Sequence, residues 1–159
     1  MKSFRMMKTT VNVMKVKFTV PGQPCGKGRP RFARVGNYVR TYTPEKTENY
    51  ENLVKLEYQN QCGDVKFFEG QMLDLRIYAY YEVPKSTSKK KAELMSANIE
   101  RPTKKPDFDN IVKAIADALN KVAYADDKQV VDCQIRKFYS KEPHVTVVLQ
   151  EVIPNEQRT

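Results

Sequence analysis

The segment from Met72 to Val83 constrains the fold more than any other part of the sequence. Its apolar residues occupy every second position, at 73, 75, 77, 79, 81 and 83. A period of two is typical of a β-strand that buries one face, because successive side chains of a strand point to opposite sides. We therefore predict a central strand here, and expect the rest of the chain to build a sheet and its cover.

Other alternating segments predict the remaining strands. Two of them flank Gly36-Asn37, a pair typical of a tight hairpin turn. Two more, separated by a turn near Pro143, are predicted to close the sheet at the carboxyl end. The predicted strands are Met14 to Val20, Phe32 to Val35, Tyr38 to Tyr42, Lys128 to Tyr139 and His144 to Val152.

Three segments are predicted to be helical. The first begins at Thr43-Pro44, with the threonine as cap and the proline at the first helical position, and runs to about Gln61. Its predicted core side chains are Tyr50, Leu53, Val54 and Tyr58. The others are a short lysine-rich helix from Ser88 to Ser96 and a helix from Asn110 to about Lys121. The order of elements predicts a single mixed-sheet α/β (α+β) domain over residues 14–152, with flexible tails at 1–13 and 153–159.

The charge distribution indicates a polyanionic partner. The formal net charge is +9, and residues 1–44 hold ten Lys or Arg and no acidic residue. A second basic block runs from Lys85 to Lys105. Lysine and arginine side chains placed on phosphates release condensed counterions, so this asymmetry favours nucleic acid over an acidic membrane surface.

Several other classes of protein are disfavoured. No uncharged apolar run is long enough to cross a membrane, and the basic amino terminus lacks the apolar core of a signal peptide, so a cytoplasmic location is expected. The three cysteines are far apart and His144 is the sole histidine, which disfavours a zinc site and a disulfide framework. We expect the cysteines to be buried free thiols.

Carboxylates gather between residues 107 and 127. Asp107 and Asp109 are predicted to lie on an extended piece with their side chains on one side, and Asp109 is predicted to cap the next helix. Lys113 and Asp117 follow at intervals of four, so they share one stripe of that helix with Asp109. Asp126-Asp127 precedes the next strand.

This pattern has two interpretations. Oxygen ligands without His or Cys suit a hard cation such as Mg²⁺ or Mn²⁺, which can activate water and stabilise charge on a phosphodiester. Each element also has an ordinary structural explanation: a helix cap, a surface ion pair at spacing four, or acidic residues at a turn. Spacing alone leaves both open.

The order of the motifs resembles a known family. Lys105-Pro-Asp-Phe-Asp-Asn-Ile-Val-Lys-Ala-Ile-Ala-Asp-Ala-Leu-Asn120, followed by Ala125-Asp-Asp-Lys-Gln-Val-Val131, closely resembles the RusA family of Holliday junction resolvases. Gly26-Lys-Gly-Arg-Pro-Arg31 and Tyr42-Thr-Pro44 are similar to the phage and prophage branch of that family. The resemblance spans about Val16 to Val148.

The resemblance implies a Mg²⁺-dependent endodeoxyribonuclease, with Mn²⁺ as a substitute, that binds four-way DNA as a homodimer and makes paired nicks. No small-molecule cofactor and no membrane are expected. It implies that Asp107, Asp109 and Asp127 bind metal, that Lys113 is catalytic, and that Asp126 assists the metal while Asp117 is structural. The expected DNA-binding residues are Lys27, Arg29, Arg31, Lys89, Lys90, Lys91, Lys104 and Lys105.

One departure from the family and two alternative functions follow. Similar proteins commonly have Asn-Gly where this chain has Asn120-Lys121, so Asn120 is expected to adopt the left-handed conformation at the helix end. A non-catalytic protein that binds branched DNA is the main alternative function. An RNA-binding accessory protein rests on charge alone, since Tyr78, Tyr80 and Tyr81 fit sheet packing better than base recognition.

Overall fold

The computed structural model of the protein describes residues 13–154, so the two predicted tails lie almost wholly outside the described residues. Three α-helices and six β-strands form one α+β domain, as predicted. In chain order they are β1 (Lys15–Pro21), β2 (Arg31–Val35), β3 (Tyr38–Tyr42), α1 (Glu45–Cys62), β4 (Leu73–Glu82), α2 (Lys89–Ser96), α3 (Phe108–Leu119), β5 (Val130–Ser140) and β6 (His144–Glu151), with a 3₁₀ turn at Asp127–Gln129.

A mixed four-stranded sheet forms the centre of the domain. Its strand order is β1-β6-β4-β5, in which β4 runs antiparallel to β6 and parallel to β5. The alternating side chains Leu73, Leu75 and Ile77 are almost fully buried. The prediction of a central strand with one core face is therefore confirmed.

Helices α1 and α3 pack against each other and build the core with the sheet. The predicted apolar stripe of α3 is buried, with Ile111, Ile115 and Leu119 each at 0% exposure. Burying an aliphatic side chain of this size stabilises the fold by about 1.5–3 kcal/mol. This burial leaves the opposite side of α3, which carries Asp109, Lys113 and Asp117, free for polar contacts.

Both long helices begin at residues other than those predicted. Pro44, and not Thr43, is the N-cap of α1, and no side chain caps that end. Helix α3 starts at Phe108, with Asp107 as its N-cap, so the prediction that Asp109 caps this helix is wrong. Only Asp107 is extended and Asp109 lies in the first turn, which means that the two carboxylates do not share one side of a strand.

The end of α3 also differs from the expectation. Asn120 has φ −55°, whereas Lys121 has φ +63°. Lys121 therefore adopts the left-handed conformation that was expected of Asn120. A residue with a Cβ atom in this conformation is strained, so Lys121 occupies a position that would favour glycine.

Strands β2 and β3 form a separate two-stranded sheet. Arg31 pairs with Tyr42 and Val35 with Tyr38, so the chain turns at Gly36-Asn37 as predicted. Of the three free thiols, Cys25 and Cys62 are half-buried, but Cys133 is exposed, contrary to expectation. Within residues 13–154, the structure contains no helix that is both long and apolar enough to cross a bilayer.

Candidate active site

A cleft of about 900 Å³ lies between two segments that are remote in sequence. One wall is the basic loop, which we define as residues 24–31. The other is the segment from Lys105 to Asn110, and the first turn of α1 closes one end. Tertiary folding therefore places Arg29 and Arg31 on the same cleft as Asp107.

Backbone hydrogen bonds hold the basic loop in the cleft. The N–H group of Lys27 donates to the carbonyl of Asn110 at 3.0 Å. The N–H group of Gly28 donates to Thr47 Oγ1 at 2.9 Å. The loop is thus attached to the first turn of α3 and to the first turn of α1.

Two glycines allow this close approach. A Cβ atom on Gly26 would lie 3.0 Å from Pro106 Cβ and 3.1 Å from Asn110 Cβ. A Cβ atom on Gly28 would lie 2.7 Å from Thr47 Oγ1. These distances are shorter than normal carbon contacts, so the spacing Gly26-Lys27-Gly28 serves the docking of the loop.

The ammonium group of Lys27 points into the protein. It donates to Glu51 Oε1 and lies 3.1 Å from Asp117 Oδ2, and its side chain is 18% exposed. Burial opposes the charged form, but the hydrogen bonds to the two carboxylates outweigh it and raise the pKa of Lys27. Lys27 was predicted to bind DNA, but its observed partners make it a link between the basic loop and both helices.

Side chains from the sheet support the segment before Asp107. The Tyr81 hydroxyl of β4 donates to the Pro106 carbonyl at 2.6 Å, and Lys137 Nζ of β5 donates to the Lys104 carbonyl at 2.7 Å. Burial lowers the pKa of Lys137, while the nearby charge of Asp107 acts in the opposite direction. Asp107 itself is exposed at the mouth of the cleft.

A network of side-chain hydrogen bonds shapes the 3₁₀ turn that carries Asp127. Asn120 Oδ1 accepts from the Asp127 N–H at 2.8 Å, and the Asp126 carboxylate accepts from the Lys128 N–H at 2.9 Å. Gln129 Oε1 accepts from the N–H groups of Ala125 and Asp126, which completes a capping box. The Asp126 carboxylate therefore caps the amino end of the 3₁₀ turn.

Asp127 lies in an electrostatically unfavourable position. Its pKa is raised, first by partial burial, next by the neighbouring Asp126 and last by the negative charge of Asp117. The positive charge of Lys113 offsets part of this rise. In contrast, the pKa of Asp126 is lowered, first because its carboxylate accepts the Lys128 N–H. Asp127 is thus a carboxyl group whose negative charge is incompletely compensated by its surroundings.

Lys113 connects the helix stripe with the 3₁₀ turn. Its Nζ lies 3.7 Å from Asp117 Oδ2, and its side chain is 62% exposed. Its positive charge also acts to lower the pKa of Asp127, against the effect of burial. Asp117 is paired with Lys27 and with Lys113.

The carboxylates offer the chemistry of a Mg²⁺ site but do not enclose one. Within residues 13–154, no three His, Cys, Asp or Glu side chains converge closely enough to hold a metal by themselves. Mg²⁺ commonly binds through one or two carboxylates and completes its shell with water and substrate phosphates. Asp107, Asp109 and Asp127 do not form such a converging group, so a metal bound by any of them would need most of its ligands from water or a phosphodiester.

The predicted DNA-binding residues fall into two groups. Lys105 lines the cleft together with the basic loop. Lys104 Nζ lies 5.8 Å from the centroid of the Tyr139 ring. Lys89, Lys90 and Lys91 lie on the exposed helix α2, outside the cleft lining, and Lys91 Nζ pairs with Glu100 at 3.4 Å.

Sequence reasoning missed the residues that position the site. Tyr81 and Lys137 lie on strands, and nothing in their local pattern indicates that they reach the segment before Asp107. Asn120 and Gln129 are polar residues that flank the Asp126-Asp127 pair. Their places beside a tight turn were the one available indication of a capping role.

Two comparisons with known proteins bear on this site. A sequence model of the family described as "Endodeoxyribonuclease RusA" matches residues 21–150, which include both walls of the cleft. The chain is also 39% identical, over 137 residues, to an uncharacterised protein of Bacillus subtilis (strain 168) called YqaN. That alignment covers 86% of this chain and 96% of the relative.

Proposed function

The chain belongs to the RusA family of endodeoxyribonucleases, and on that premise we propose that it resolves four-way DNA junctions by paired, metal-dependent hydrolysis of phosphodiester bonds. The observation that carries the proposal is the cleft, in which the positively charged basic loop faces the segment from Lys105 to Asn110 and its exposed carboxylate Asp107. The positive wall suits the DNA backbone. The carboxylates alone would repel DNA, and a divalent cation would remove that repulsion.

Each charged group of the candidate site has a distinct proposed role. Arg29 and Arg31, which have exposed side chains, hold phosphates of a junction arm. Asp107, Asp109 and Asp127 hold Mg²⁺ or Mn²⁺, with Asp126 fixing the turn beside them. The metal, when bound, supplies Lewis acidity toward the phosphate and activates water.

Lys113 stabilises the negative charge that develops on the phosphate during cleavage. Its side chain is largely exposed, so it can approach a bound backbone, and its ion pair with Asp117 is at the long distance of 3.7 Å. Preorganised positive charge aimed at a developing negative charge is usually the largest contribution to such catalysis. Asp117 keeps the lysine over the turn.

Paired cleavage requires two active sites on one junction. A single chain has one carboxylate segment, so we propose that the active form is a homodimer with twofold symmetry, which matches two strands of like polarity. Sedimentation equilibrium of the free protein tests this assembly. A monomer at concentrations that support paired nicking would contradict it.

A cleavage assay tests the nuclease function. The substrates are an end-labelled four-way junction and a linear duplex with the sequence of one arm, each with Mg²⁺ and with EDTA. The expected result is symmetrical nicks in the junction when Mg²⁺ is present. The junction in EDTA and the duplex in either condition should stay uncut. The variant Asp109→Asn should lose cleavage by at least about 100-fold, since a ligand charge is missing at the metal, and should bind the junction at least as well as the wild-type protein.

Asp64→Asn is the matched control. Asp64 is exposed in the turn after α1 and away from the cleft, so its loss of one negative charge should leave cleavage unchanged. Cleavage by Asp109→Asn at the wild-type rate would contradict the assignment of the site. Cleavage in EDTA would contradict the metal requirement.

The alternative is a protein that binds branched DNA without cutting it. The lack of a closed three-carboxylate group within residues 13–154 is the observation that favours it. Tight junction binding without cleavage in either Mg²⁺ or Mn²⁺ would establish this alternative.

A further inference from the structure

The β2–β3 hairpin exposes an unusual amount of apolar surface. It forms its own two-stranded sheet, and its main packing is between its two strands. Phe32 is 73% exposed, Tyr38 64% and Val39 62%. A two-stranded hairpin is marginally stable alone in water, so this surface is suited to contact with a partner.

The pairing of the strands divides the hairpin into two faces. Directly paired residues lie on the same face, and the faces alternate along each strand. We define the tyrosine face as the side that holds Tyr38, Arg40 and Tyr42 of β3 together with Arg31, Ala33 and Val35 of β2. The opposite face holds Phe32 and Arg34 with Val39 and Thr41.

The tyrosine face continues the cleft. Arg31 lines the cleft and pairs with Tyr42 across the hairpin. Arg40 lies between Tyr38 and Tyr42 on the same face. Arginine and tyrosine therefore alternate along one surface that leads away from the candidate active site.

The charge of the hairpin decides which partner fits it. It contains Arg31, Arg34 and Arg40, and the chain has no acidic residue before Glu45. Two copies of such a hairpin would repel each other, whereas a polyanion would be attracted. Since the hairpin extends from a cleft suited to phosphodiesters, DNA is the partner that fits both charge and position.

We propose that the tyrosine face binds the branch point of junction DNA, with the rings of Tyr38 and Tyr42 stacked on bases that the branch leaves without a stacking neighbour. This inference rests on the proposed function and specifies how that site selects branched over linear DNA. Aromatic rings stack on exposed bases of any sequence, and arginines beside them hold the backbone. A continuous duplex lacks such bases, so the same face gains much less from it.

Equilibrium binding in EDTA tests the proposal without cleavage. The probes are a synthetic four-way junction with 2-aminopurine at the branch and a linear duplex with 2-aminopurine at the matching position. The variant Tyr38→Ala/Tyr42→Ala should lose about tenfold or more in junction affinity, because stacking on one base is worth about 1–3 kcal/mol. Its duplex affinity should change by less than about twofold.

Two further variants serve as controls. Phe32→Ala removes a ring that is more exposed than either tyrosine, at 73%, from the opposite face. It should leave junction affinity and 2-aminopurine fluorescence as in the wild-type protein. Tyr38→Phe/Tyr42→Phe keeps the rings and should retain junction affinity. Circular dichroism of the alanine variant should match the wild type, since both hydroxyphenyl groups are solvent-exposed.

The outcomes separate this inference from the proposed function. Wild-type protein that cuts the junction, together with an alanine variant that binds it normally, would overturn the tyrosine face alone. It would also be overturned if the alanine variant lost equal affinity for junction and duplex, or if Phe32→Ala lost as much junction affinity as the alanine variant. A dimer that dissociates in the alanine variant would instead assign the face to contact between copies. Wild-type protein that neither binds nor cuts the junction would remove the proposed function itself.

Discussion

At the scale of single residues, Asp127 is a carboxyl group whose surroundings disfavour its charge. Its pKa is raised by burial and by two acidic neighbours. Folding therefore favours its protonated form, and the ionised form destabilises the protein. This destabilisation is absent below the ordinary carboxyl pKa and grows as the pH rises through the raised pKa, so it is fully present at neutral pH.

We expect Asp127→Asn to stabilise the metal-free protein at pH 7 by a few tenths to about 1 kcal/mol, because solvent screens a group that is only partly buried. The same change should abolish the rise in melting temperature that Mg²⁺ causes in the wild-type protein. Thermal melts with EDTA and with Mg²⁺ measure both effects. Asp64→Asn should show neither, and an unchanged response of Asp127→Asn to Mg²⁺ would remove Asp127 from the metal site.

Lys27 is the second residue whose role depends on its partners. Replacing it by alanine leaves Glu51 and Asp117 without their shared cation, so we expect Lys27→Ala to lower the free energy of unfolding by about 1–2 kcal/mol. Arg29→Ala, with an exposed side chain two residues away, should be neutral in the same urea titration. A stable Lys27→Ala protein with weakened DNA binding would instead support direct contact with DNA.

At the scale of elements, the contacts between helix α3 and the 3₁₀ turn position the residues of the candidate site. Helix α3 buries one stripe and presents another, which places Lys113 and Asp117 beside the 3₁₀ turn. Asn120 at the end of the same helix binds the backbone of Asp127. The conformation of residues 120 and 121 therefore influences the position of a proposed metal ligand.

Lys121→Gly should stabilise the protein, because glycine adopts φ +63° without the strain that a Cβ atom causes. We expect a gain of about 0.5–1 kcal/mol in the free energy of unfolding, measured by chemical denaturation. Lys121→Ala is the control: it removes the same charge but keeps the Cβ atom, so it should give no gain. Equal effects of the two variants would attribute the result to charge.

At the scale of the whole molecule, positive charge is concentrated on the surface around the cleft and hairpin. The affinity of such a protein for DNA depends steeply on salt, since each phosphate contact releases counterions. We expect Arg29→Ala/Arg31→Ala to weaken junction binding and to reduce the slope of log affinity against log salt by about 2. Binding titrations at several salt concentrations measure this slope.

Lys66→Ala/Lys141→Ala is the matched control for that prediction. Both lysines are exposed and lie outside the cleft. Since each double variant loses two positive charges, the two variants have the same net charge. It should change the slope little. A similar reduction in both variants would show that net charge acts without a specific contact by the basic loop.

The sequence by itself determined the element types and most of the core. The apolar periods of β4 and α3 predicted their buried faces, because local repeats of two and 3.6 residues decide which side chains share a side. The exact helix starts were not predicted correctly: Asp107 replaces Asp109 as a cap, and Pro44 replaces Thr43. A capping residue competes with near neighbours of similar chemistry, and the tertiary contacts of the loop choose among them.

Tertiary structure alone decided how remote segments meet. The pairing of Lys27 with Glu51 and Asp117, the support of Pro106 by Tyr81, and the attachment of Gly28 to Thr47 join residues on different elements. Periodicity carries no information on such contacts, since they depend on sheet order and helix packing. The motif predicted which carboxylates to examine, but folding decided that Asp107 faces the basic loop across one cleft.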